Sequence, residues 1–129
     1  MRLHRRARLL ARVFVELMLY DVVMRVWGFS GVNRWARRRR VSSERAAKPD
    51  EAAIVRAVSA AGSFYWKPIR CLQRSVVTAR VMAHYGAPAD VVIGYRPAPF
   101  FSHAWVEVNG RVANDSPGFQ QKLSVLERL

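Results

Sequence analysis

The sequence is short of acids, of cysteine and of uninterrupted apolar runs, and each shortage closes off a class of protein. Its 129 residues hold 9 Asp and Glu against 22 Lys and Arg, a net charge of +13. Such a field favours an anionic partner, whether nucleic acid, a membrane face or an acidic peptide, and charge alone does not choose among them. The single cysteine, Cys71, excludes an intramolecular disulfide and a thiolate metal site, and it suits a reducing cytoplasm. The most apolar stretch, Leu9 to Phe29, is interrupted by Arg12, Glu16, Asp21 and Arg25. That spacing argues against a membrane span, and no small-residue cleavage site follows. There is no internal repeat and no phosphate-binding motif, so no cofactor is expected in this chain. The length suits one small domain with one core, and a hydrophobic content of 51% is enough to fill it.

The charge that is present is uneven. Residues 1–45 carry 12 Lys and Arg against 3 Asp and Glu, a balance of +9, and residues 46–129 carry 10 against 6, a balance of +4. We therefore read residues 1–45 as a basic helical extension for partner docking and residues 46–129 as the core domain. Leu10, Val13, Phe14, Leu17 and Met24 recur at helical spacing over 2–27, with Arg12, Glu16, Asp21 and Arg25 marking a polar side. Gly28, Ser30 and Gly31 break the pattern, and Arg37–Arg40 reads as a solvated charge run. Ser42 to Pro49 is a linker or cap. A second helix begins near Pro49-Asp50-Glu51, with acids in its first turn, and ends at Gly62. A third runs from about Cys71 to Tyr85, with Leu72, Val76, Ala79 and Ala83 on one stripe. Gly86 and Pro88 stop it. Asp90–Tyr95 and Phe100–Val108 read as strands, and Asn109-Gly110 turns the chain into a return strand ending near Asp115. The tail carries a weak helical pattern through Leu123, Leu126 and Leu129.

Three of these residues can be assembled into one site, with Cys71 as nucleophile, His103 as the base that takes its proton, and Asp115 orienting the base. Cys71 opens a helix, where partial positive charge and free backbone N–H groups favour a thiolate, and Arg70 and Arg74 add to that potential. Its own N–H is a ready oxyanion donor, with Trp66 and Gln73 as weaker candidates for the second. On the strand, His103, Trp105 and Glu107 share one face and Ser102, Ala104, Val106 and Val108 the other. A two-residue turn pairs Val108 with Arg111 and points Asp115 away. A bulged three-residue turn pairs Glu107 with Arg111, allows an ion pair there, and sets Asp115 opposite His103. The triad therefore expects the bulged turn. Taken singly, each residue also has a plain structural reading: a buried small thiol, a core histidine, a turn acid. His84 suits the end of the third helix, and His4 carries no signal.

The pattern resembles the transglutaminase-like cysteine proteases, and within them the leader peptidases of lasso-peptide biosynthesis. The matching residues are Cys71-Leu72-Gln73-Arg74-Ser75, then Gly86-Ala87-Pro88-Ala89-Asp90 with Val92-Ile93-Gly94, then His103-Ala104-Trp105-Val106-Glu107-Val108, and Asn114-Asp115, covering roughly residues 50 to 116. The resemblance implies an α+β fold of transglutaminase-like or papain-like type, its nucleophile helix packed on a small antiparallel sheet. It implies cleavage of a leader from a ribosomally made precursor peptide. The freed amine is then joined to a core acid by an ATP-dependent, asparagine-synthetase-like cyclase. It also implies a separate leader-recognition protein, since no winged-helix-like domain of the size some members carry fits before residue 50. Nucleic acid is not an expected partner; peripheral membrane contact stays open. Two other classes remain: a transglutaminase-like hydrolase with a different peptide substrate, and a non-catalytic basic adaptor for nucleic acid or membrane.

Overall fold

In the computed structural model the described residues are 2–38, 51–97, 100–108, 110–113 and 123–129. Three helices, α1 (Arg2–Arg37), α2 (Glu51–Phe64) and α3 (Cys71–His84), precede four strands: β1 (Asp90–Pro97), β2 (Phe100–Val108), β3 (Arg111–Val112) and β4 (Ser124–Arg128). The strands form one antiparallel sheet in the order β3-β2-β1-β4. The architecture is α+β, as the sequence implies. The linker at 42–49 and the domain boundary near residue 45 fall outside the described residues.

The expected break in α1 is a kink rather than an end. Gly28 takes φ +69°, a left-handed conformation that costs glycine little, and the helix resumes through Arg37. It resumes because Val32 and Ala36 return to the core, alongside Leu9, Val13, Leu17 and Tyr20 from the first segment. The expected polar side is corrected at its acids, most sharply at Glu16. Glu16 is fully buried, its carboxylate shared by Arg12 at 2.9 Å and Arg80 of α3 at 2.7 Å. Arg80 stacks on Trp35, 3.9 Å from the ring centre, and donates to the Trp35 carbonyl. Paired in this way, a carboxylate can sit where helical periodicity alone would put an apolar residue.

α3 is central. Contacts from α1, α2 and β2 surround it, so Ser75 to Ala79 and Val81 to Ala83 are all buried and the expected single stripe widens to a whole circumference. The tail is a second correction. Leu123, Leu126 and Leu129 suggest helical spacing, yet Ser124–Arg128 is a strand. The free edge of β1 offers unpaired backbone groups, and the tail takes them. Leu129 and Val91 exchange both N–H···O bonds, at 2.7 and 3.3 Å.

Candidate active site

Cys71 is the first residue of α3 and its thiol is half-buried. Arg70, the residue before it, is extended (φ −91°, ψ 168°) and supplies no side-chain cap. The first helical bond runs from Arg74 N to Arg70 O at 2.9 Å. The N–H groups of the first turn are thus left uncapped by Arg70, the condition that suits a developing anion.

Beside the start of α3 the structure gathers a polar cluster that sequence reading did not assemble. Asp21, on α1, accepts a hydrogen bond from the Tyr65 hydroxyl and pairs with Lys67 Nζ at 2.6 Å. Gln73 Nε2 donates to Asp21 Oδ1 at 3.4 Å and to the Leu17 carbonyl at 3.3 Å. The Gln73 amide is therefore committed to α1 and is not a spare oxyanion donor. Trp66, the other weak candidate, is 77% exposed, with Lys67 Nζ 5.5 Å from its ring centre. Burial, then the charge of Asp21 and then that of Cys71, push the Tyr20 phenol up to about 12. Burial and the Asp21 hydrogen bond do the same for Tyr65. The only sequence signal for this cluster was an acid on a basic helix.

β2 is regular from Phe100 to Glu107 against β1, with no bulge. Alternation therefore holds, and it separates two faces. Val91, Val106 and Val108 join the helical core, while Val92 and Trp105, one residue out of phase, are buried outside it. His103 shares the Trp105 face, turned away from α3. There the imidazole lies between two rings, stacked at 6.2 Å on Phe101 and at 6.2 Å on Trp105. Trp105 lies across Gly94, where a Cβ would stand 2.6 Å from the indole. Its Nε1 donates to Glu107 at 2.8 Å, and Glu107 accepts a second bond from Arg128 at 3.1 Å.

The turn after β2 is the tight one. Val108 pairs with Arg111 and Glu107 with Val112, and Ala113 N donates to Val106 O at 2.8 Å. The bulged register that the triad expects is thus corrected. Asn-Gly is the preferred pair of a two-residue hairpin turn, and Gly110 supplies φ +80°. Asp115 itself lies outside the described residues. The expected Glu107–Arg111 pair is also corrected: Arg111 makes a bidentate contact with Glu51 at 2.7 and 2.8 Å. His84 packs edge-on against Tyr85 at 4.9 Å at the end of α3, and His4 is exposed. No cluster of metal-ligating side chains occurs among the described residues, and no described helix is long and apolar enough to cross a membrane.

A helix opened by a half-buried thiol and packed on a small antiparallel sheet defines a class, and the comparison of sequences agrees. The model of the transglutaminase-like superfamily matches residues 17–128, and the chain belongs to that superfamily. A stretch of 59 residues is 44% identical to the microcin J25-processing protein McjB of Escherichia coli. The match covers 46% of this chain and 28% of McjB. No solved structure matches the chain.

Proposed function

We propose that the chain is a cysteine endopeptidase that removes the leader from a ribosomally synthesised lasso-peptide precursor. The observation that carries the reading is the position of Cys71, the single thiol, at the uncapped first turn of α3 in a transglutaminase-like fold. The likeness to McjB, a processing protein by name, supplies the substrate class. In the proposed cycle the Cys71 thiolate attacks the scissile carbonyl, and the tetrahedral oxyanion sits at the first-turn N–H groups. The C–N bond then breaks, and the core amine leaves with the proton that His103 took from the thiol. Water, deprotonated by His103, hydrolyses the thioester, which releases the leader carboxylate and restores the thiol.

This cycle makes a demand on the sheet. His103 must come within about 3.2 Å of Sγ, and catalytic contacts commonly tighten only when substrate binds. Because α3 packs on the opposite face of β2, the start of β2 has to turn toward the N-terminus of α3 in the loaded complex. Asp115 takes the orienting role toward the same imidazole.

The surface of α1 supports a partner. Val15, Met18, Leu19, Val22 and Val26 are exposed on the side away from the core. The acids Glu16 and Asp21 are both turned inward, into ion pairs. The outer side of α1 is therefore apolar and cationic, and a helix apolar on two sides calls for a second cover. A separate leader-recognition protein, the precursor itself and the ATP-dependent cyclase are the proposed partners. The same surface favours the adaptor as the second reading.

The test is leader cleavage followed by mass spectrometry, using a cognate precursor and recognition protein, with wild type beside Cys71→Ala. A defined product that disappears in the variant establishes the peptidase and its nucleophile. Equal cleavage by both removes Cys71 from the mechanism, and no cleavage by either shifts the weight to the adaptor.

A further inference from the structure

We propose that Asp21 is a positioning residue for the Cys71 thiol, through a carboxylate that holds Tyr65, Lys67 and Gln73, the residues flanking the nucleophile on both sides in sequence. The inference rests on the peptidase reading for its meaning but not for its test. The segment from Tyr65 to Arg70 that leads into α3 is irregular. Its backbone bonds lie at its two ends, from Tyr65 N to Gly62 O at 3.4 Å and from Arg74 N to Arg70 O at 2.9 Å. Between them side chains hold it, with Tyr65 and Ile69 packed against the core. Its polar anchors are the Tyr65 hydroxyl and Lys67 Nζ, and both end on Asp21. Beyond the nucleophile, Gln73 is 3% exposed and its amide bridges Asp21 and the Leu17 carbonyl.

One carboxylate on α1 thus holds the chain before Cys71 and the first turn after it. Tyr20, the residue next to Asp21, feels the charge of both Asp21 and Cys71, which puts the clamp and the thiol in one electrostatic neighbourhood. Lys67 neutralises Asp21 at 2.6 Å, so the clamp operates without leaving an unpaired negative charge beside the nucleophile. The consequence is that α1 contributes to the site as well as to the core. Anything that shifts α1 by a fraction of a turn is transmitted to the thiol through three side chains.

The test uses Asp21→Ala and Asp21→Glu in the full chain, with two readouts. Cys71 is the only cysteine, so iodoacetamide labels one site. Alkylation at neutral pH should slow severalfold in Asp21→Ala, and Asp21→Glu should recover most of the rate. In urea-unfolded protein all three should react alike. With the precursor, Asp21→Ala should lower kcat about tenfold while KM stays within about twofold, the pattern of a displaced reacting group. If Asp21→Ala does not fold, Lys67→Met and Tyr65→Phe loosen the same clamp from its other side and should slow alkylation in the same direction. The proposal is overturned if folded Asp21→Ala alkylates at the wild-type rate. It is equally overturned if labelling changes only in step with the thermal midpoint and Asp21→Glu gives no recovery, since that marks a role in stability alone. Should wild type fail to cleave the precursor, the peptidase reading falls, while the alkylation series still decides the role of Asp21.

Discussion

Arg80→Ala should destabilise the fold by about 3–5 kcal/mol, the usual cost of breaking a buried ion pair from one side. The estimate follows from what Arg80 touches. Its Nε is 2.7 Å from Glu16 Oε2, with side chains 17% and 0% exposed, and truncation leaves Glu16 to Arg12 alone. Arg12 is a weaker partner, since its side chain is 37% exposed and its Nε is buried without a hydrogen bond. The same change removes the guanidinium from the Trp35 ring, a contact worth about 0.5–2 kcal/mol in settings of this kind. These contributions overlap, so the upper figure is a ceiling. Against a total stability of about 5–15 kcal/mol the loss is large. At roughly 4 °C per kcal/mol for a chain of this size, the thermal midpoint should fall by about 12–20 °C. Urea unfolding measures the free energy directly. The double variant Glu16→Leu, Arg80→Met removes both charges and should recover most of the loss, because well-packed apolar groups replace buried pairs without a desolvation penalty. A loss below about 1 kcal/mol for Arg80→Ala would refute the reasoning, since that is the range of solvated surface pairs.

Two further expectations concern the sheet and the Cys71 neighbourhood. Gly94→Ala puts a Cβ 2.6 Å from the Trp105 ring and 3.0 Å from Leu123 Cβ. Thermal or urea unfolding should show a loss of about 1–3 kcal/mol from overpacking, and leader cleavage should fall too, since Trp105 stacks on His103. Tyr20 and Tyr65 both titrate near 12 rather than at the ordinary 10.0. Folding therefore favours their protonated forms. The stability they contribute is full below about pH 10 and is lost as pH rises toward about 12. Tyrosinate absorbance should show Tyr20 and Tyr65 titrating late, and Tyr65→Phe should remove one late component and weaken the alkaline limb of unfolding.

Much of the local structure was already written in the chain. Cys71 opens its helix and Gly86 follows its end because side-chain chemistry at helix termini is a short-range matter. The alternating residues of β2 fixed its two faces before any partner strand was known, and the residue types Cys71, His103 and Asp115 pointed to a transglutaminase-like protein. Local chemistry also contained the correction at the hairpin, where Asn109-Gly110 prefers the two-residue turn that the triad geometry argued against.

Tertiary structure decided the questions whose answers depend on distant residues. Periodicity put Glu16 among the polar positions of α1. Only the approach of Arg80, from a helix far along the chain, makes its complete burial affordable. The tail reads as helix by spacing, and the open edge of β1 makes it a strand. Asp21 was one more charge on a basic helix until the fold placed Tyr65, Lys67 and Gln73 around it. The face of β2 that meets α3 is likewise a packing outcome: alternation separates His103 from Val106, and the core then takes Val106. Sequence determines which side chains share a face, but the burial of apolar area across the whole chain selects the face that turns inward.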